Sequence, residues 1–155
     1  MHAFEHQDTA QTLRDGLAGY YRGNPALVRG ERLSPQAAEF FRCHDAAHVV
    51  FGCGTTLPQE AVVKLSSLFG TTAGLSVLRG YRLHESVEIY KKLGVRDILA
   101  TLAAAVLLVP KTIGRCLRQR KRWPWNEFAD GMDVPLGQLR AGYGIKVPGA
   151  RRPRA

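Results

Sequence analysis

Apolar residues recur along the chain at helical intervals, and no run of alternating apolar and polar residues is bounded by turn signals. A first helix is expected from about Thr9 to Tyr21, capped by Asp8 or Thr9, followed by a loop rich in Gly, Asn and Pro (RGNPALVRGERL). Ser34 and Pro35 read as N-cap and first residue of a second helix that lasts to about Phe51 and stops at Gly52 and Gly54. Thr56 and Gln59 have the spacing of a capping box and open a third helix through AVVKLSSLF, with Gly70 and Gly74 near its end. Further helices are expected over His84 to Leu93, Val95 to Val109 (ending before Pro110), Lys111 to Arg122, and Pro135 to Ala141. The pattern therefore predicts an all-α fold: a single compact helical domain of about six to seven helices over 1–148, with a disordered basic tail over 149–155.

Length and composition agree with this. At 155 residues, with an apolar fraction of 45%, the chain suits one domain with its own core. The most apolar stretch, Ile98 to Val109, is 12 residues long, short of the roughly 20 that cross a bilayer. The N-terminal residues MHAFEHQDTAQTLRDG read as neither signal nor transit peptide. Cys43, Cys53 and Cys116 form no CxxC pair, which predicts a reducing compartment. Gly70 and Gly74 have GxxxG spacing, which points to close helix packing more than to dimerisation and leaves a homodimer open.

The net charge of +9 is local. Lys111 to Trp123 holds six Lys/Arg and no acid, and the tail from Lys146 holds four more; without these ten, 12 bases face 13 acids. A local basic segment suits an anionic surface better than nucleic acid, which is not expected as a partner. Arg118, Arg120, Lys121 and Arg122 precede Trp123 and Trp125, so a cationic helix ending in two indoles is expected to contact a membrane. The competing reading is a solvated helix face with one or both Trp buried.

The chemistry concentrates in the second helix. Ala37, Phe40, Phe41, His44, Ala47, His48 and Phe51 form its apolar stripe, and both histidines lie within it. Four residues apart, their imidazoles sit one turn apart, with Cβ atoms about 5–6 Å from each other, which suits convergence on one ion. Asp45 can swing to the same edge, as ligand or as the group that fixes an imidazole's tautomer. Glu60 lies in the first turn of the next helix, across a reversing loop. A buried His alone is more often a hydrogen-bonded core residue, and Glu60 alone can serve the helix dipole. Three ionisable groups on a core stripe are costly without a partner. The mixed N/O set suits Zn, Fe, Mn or Co. His84, Glu85 and Glu88 read as an ion-pairing helix face, and Cys43 as a small buried thiol. Tyr20, Tyr21 and Tyr81 can line a pocket but fit a core as well.

The run HDAAH, then eleven residues, then Glu60, resembles the HDxxH-x11-E signature of the Coq-four family of ubiquinone (coenzyme Q) biosynthesis proteins. The closing run GMDVPLGQLR from Gly131 to Arg140, with Tyr143 and Ile145, is similar to that family's C-terminal segment. The resemblance implies an all-α fold and one zinc-like ion on His44, Asp45, His48 and Glu60, which are then also the catalytic residues. It further implies a cytoplasmic protein peripheral on the inner face of the cell membrane, working with other quinone-biosynthesis enzymes. The implied reaction is oxidative decarboxylation of the head group of a polyprenyl hydroxybenzoate, a quinone precursor. The alternative is a non-catalytic lipid-binding scaffold with a structural metal. A hydrolase of the HD type ranks last, because after Glu60 only His84, Asp97, Asp130 and Asp133 remain as further His or Asp ligands.

Overall fold

The computed structural model describes residues 2–25, 33–81 and 107–149. Within them the fold is all-α: helices α1 (Leu13–Gly23), α2 (Pro35–Val50), α3 (Leu57–Gly70), the single turn α4 (Val77–Gly80), α5 (107–117) and α6 (Leu136–Tyr143). Among the described residues the only extended pairings are two isolated bridges, Thr12 with Pro135 and Thr71 with Trp123. The expected helices over His84–Leu93 and most of Val95–Val109, with His84, Glu85 and Glu88, lie outside the described residues. So does the tail from Ala150.

Helix α1 starts four residues later than its pattern suggests. The backbone just before it is committed elsewhere: Leu136 N donates to Gln11 O (2.8 Å) and Leu13 N to Val134 O (3.3 Å). Thr12 then caps the helix, its hydroxyl accepting from Asp15 N at 3.1 Å. Helix α2 begins as expected, with Ser34 Oγ accepting from Ala37 N and Pro35 at the first helical position, where its missing N–H costs nothing. It ends where Gly52 turns left-handed (φ +66°) and Cys53 N bonds back to His48 O at 2.8 Å. That turn folds α3 back along α2. Thr56 stands at the start of α3, but the capping box is not made: Thr56 Oγ1 donates to the Gln59 side chain at 2.7 Å instead of accepting from backbone.

Two further expectations are corrected. Pro110 does not end a helix; it lies inside α5, whose backbone φ a proline ring already favours. Helix α5 stops at 117 rather than at Arg122. Beyond it, Arg120 N donates to Tyr143 O and Trp123 N to Gly70 O, both at 2.9 Å, so α6 and the end of α3 capture the backbone that a helix would have used.

The core gathers Phe4, Leu13, Tyr20, Val49, Val50, Val63, Trp123, Leu136 and Ile145 around the C-terminal half of α2. Burying each such side chain is worth about 1.5–3 kcal/mol. One charged group joins them. Arg140 on α6 is fully buried and donates to Val50 O (2.8 Å), Val49 O (2.7 Å), Phe4 O (2.5 Å) and His6 O (2.6 Å). It thereby satisfies the carbonyls at the end of α2, where the helix dipole is negative, and pins the N-terminal segment to them. Burial pushes its guanidinium down to about 10, still charged at neutral pH.

Candidate metal centre

His44 and His48 project from one face of α2, their rings 4.7 Å apart and near perpendicular. Both are buried. Glu60, in the first turn of α3, meets them: its Oε1 lies 3.2 Å from His48 Nε2 and its Oε2 4.0 Å from His44 Nε2. One ligand atom from each of the three residues falls within 4.8 Å of the others. Two donors bound to one ion at about 2.0–2.2 Å are at most about 4.4 Å apart, so small side-chain rotations suffice to close the site.

The protonation pattern points the same way. His48 Nδ1 faces two carbonyl oxygens, Gly54 O at 3.0 Å and Cys53 O at 3.3 Å, so it carries the proton. Its Nε2 lone pair is then aimed at the Glu60 carboxylate, an arrangement that a cation between them makes attractive. Neither Nε2 makes a hydrogen bond, although both are buried. For Glu60, burial raises the carboxyl pKa, but protonated His48 as hydrogen-bond donor and charge, with the charges of protonated His44 and of Lys64, outweighs it and the net shift is downward from 4.5; with both imidazoles neutral that support is absent unless a cation supplies it.

Asp45 does not converge with the other three. Its Oδ2 accepts from Tyr21 Oη at 3.0 Å, and its Oδ1 stands 3.9 Å from His44 Nδ1, too far for a hydrogen bond. Adjacent residues on a helix are about 100° apart, so with His44 directed at Glu60, Asp45 turns toward α1. Of the four expected ligands, His44, His48 and Glu60 form the convergent group that could hold an ion, and Asp45 lies beside the second nitrogen of His44. Tyr20 packs on His48 with ring centroids 5.1 Å apart. Cys43 contacts Glu39 rather than the centre, and burial pushes its thiol up to about 12.

Burial also makes His44 a pH-sensitive element. Desolvation holds its pKa below the ordinary 6.5. The unfolded chain therefore takes up a proton that the folded one refuses as pH falls from about 6.5 toward the lowered folded value. Stability is fully present above 6.5 and is lost below it; the Glu60 contribution is lost only below 4.5. The urea midpoint of metal-free protein should fall between pH 7 and pH 5, and His44→Gln should flatten that fall. An equal slope in both proteins would remove His44 as the cause.

The expected membrane residues divide. Arg118, Arg120, Lys121 and Arg122 are exposed. Trp123 is only 1% exposed, packed on Tyr143 and Phe128, so its expected membrane contact is corrected to a core role. Trp125 is half-buried with its ring 5.9 Å from Phe40. The apolar residues exposed nearby are leucines, which the sequence reading missed: Leu75 (76%), Leu117 (73%) and Leu78. Thr72 N donates to Trp123 O and Trp125 N to Thr72 Oγ1, both at 2.9 Å, which holds the segment leading to Leu75 beside the end of the basic one. Among the described residues, no helix is long and apolar enough to cross a membrane.

The chain matches no protein-family model, no curated protein and no solved structure.

Proposed function

We propose that the protein holds one divalent ion on His44, His48 and Glu60 and uses it in oxidative decarboxylation of a polyprenyl hydroxybenzoate. The observation that carries the metal reading is the convergence of two buried, unbonded Nε2 atoms on one carboxylate. Zinc is the first candidate, with iron, manganese and cobalt as alternatives. Three protein ligands leave coordination positions open, and a bound ion there supplies Lewis acidity or, if it is a redox metal such as iron, a site for dioxygen. The substrate comes from the resemblance of the HDxxH-x11-E run to the Coq-four family. The overall exchange replaces a ring carboxyl by hydroxyl: with dioxygen, two electrons from an external reductant and two protons, the products are the phenol, carbon dioxide and water.

The chain's own residues contribute position and environment. Asp45, held by Tyr21, faces His44 Nδ1 and is suited to steer that ring. Phe40 and Tyr20 keep water from the imidazoles. A polyprenyl substrate resides in a bilayer, so the proposed partner is an anionic membrane surface. Arg79, Arg118, Arg120, Lys121 and Arg122 supply charge for it, and Leu75 and Leu117 apolar insertion.

One experiment addresses both parts. A polyprenyl hydroxybenzoate is presented in anionic or neutral vesicles to metal-loaded and chelator-stripped protein, with dioxygen and a reductant. Carbon dioxide release is expected only with metal, faster on anionic vesicles, and slowed by salt. Stoichiometric metal without turnover would replace this reading by the scaffold one. Equal rates on both vesicles would remove the electrostatic part.

A further inference from the structure

The two imidazoles of the centre are held differently. His48 is preset: its Nδ1 is fixed by Gly54 O and Cys53 O, Tyr20 packs on its ring, and its Nε2 stands 3.2 Å from Glu60 Oε1. Two ligands on one zinc ion at tetrahedral angles are about 3.3 Å apart, so this pair already has the spacing of a bound ion. His44 is not preset. Its Nε2 is 4.0 Å from Glu60 Oε2 and its Nδ1 3.9 Å from Asp45 Oδ1, both beyond hydrogen-bond range. Phe40, against its ring at 5.9 Å, offers no acceptor. Asp45 in turn is held from another helix: Tyr21 on α1 donates to its Oδ2 at 3.0 Å, which leaves Oδ1 facing His44.

We propose that Tyr21 is a positioning residue of the metal centre, holding the Asp45 carboxylate as a latch for His44. His48 and Glu60 receive the ion first. His44 then turns, presenting its Nε2 to the ion and its Nδ1–H to Asp45 Oδ1, a closure of about 1 Å. The latch presupposes the ion proposed above, and it adds an order of assembly and a role for a residue that touches no ligand atom. A histidine that binds metal through one nitrogen is oriented by an acceptor on the other, and Asp45 Oδ1 is placed to be that acceptor. The carboxylate is buried, and without the Tyr21 hydroxyl it loses the donor that keeps it in this direction. A hydrogen bond with a purely structural role would tie α1 to α2 and leave the affinity for the ion untouched.

The test measures zinc affinity of the full chain against a competing chelator, together with melting temperatures and NMR of the histidine ring nitrogens. Tyr21→Phe is expected to lower the affinity about tenfold, the order typical of groups that orient a ligand, and to cost little more in an Asp45→Asn background. In zinc-loaded wild type both His44 and His48 should show a slowly exchanging Nδ1–H; in Tyr21→Phe the His44 proton alone should exchange fast. His44→Ala is expected to keep weak zinc binding on His48 and Glu60, and His48→Ala none. Wild-type affinity in Tyr21→Phe, even with a lower melting temperature, would overturn the latch alone. So would equal losses from Tyr21→Phe in both backgrounds, or equal zinc affinities of His44→Ala and His48→Ala. No zinc uptake by wild type would overturn the metal reading and this proposal with it.

Discussion

Replacing Arg140 with leucine is expected to cost roughly 3–5 kcal/mol, a large share of the about 5–15 kcal/mol that holds a domain folded. The guanidinium donates to carbonyls of Phe4, His6, Val49 and Val50, all brought together around its fully buried fork. Leucine fills most of the volume but offers no donor. Each carbonyl left buried and unbonded costs about 1–3 kcal/mol, moderated where water enters. Arg140→Lys should recover little, because one ammonium cannot reach both the α2 terminus and the N-terminal segment. Urea unfolding decides the matter: a loss below about 1 kcal/mol in Arg140→Leu would mean that these hydrogen bonds contribute little.

Substituting His48 by alanine is expected to abolish metal binding and to remove the stabilisation that metal confers. An ion that binds only the folded state adds about 2.7 kcal/mol at a hundredfold excess over its Kd. Wild type should therefore melt higher when metal is added, and His48→Ala should not respond. The variant should also be weaker without metal, since it loses the anchor to Gly54 O and the packing on Tyr20. Asp45→Asn separates ligand from neighbour: it should keep the ion with affinity reduced about 10–100-fold. A melting temperature that rises equally in wild type and His48→Ala would place the ion elsewhere.

How much of this was legible in the sequence varied with the kind of signal. Ser34-Pro35 and the glycines at 52 and 54 mark α2 correctly because caps and breakers act through neighbouring backbone. The histidine pair was legible for the same reason: four residues on a helix is a fixed geometry. Glu60 needed the turn at Gly52, which the glycine itself announced. Asp45 stands apart from the other three because Tyr21, 24 residues earlier, donates to its carboxylate, which spacing does not reveal. The start of α1 and the end of α5 were misplaced because distant segments, 134–136 and 143, take their backbone hydrogen bonds. Trp123 beside four cations resembled an interfacial anchor, yet long-range packing buries it and leaves Leu75 and Leu117 outside. Arg140 gave no signal at all, since nothing local distinguishes a buried arginine from a solvated one.

The most direct measurement is metal content. Wild-type protein and a His44→Ala/His48→Ala double variant are equilibrated with zinc, freed of excess by gel filtration, and analysed for metal per chain. X-ray absorption on the wild type then identifies the ligands. The account predicts about one ion per wild-type chain, bound by two imidazoles and oxygen, and none in the double variant. Stoichiometric zinc in the double variant, or none in the wild type, would contradict it.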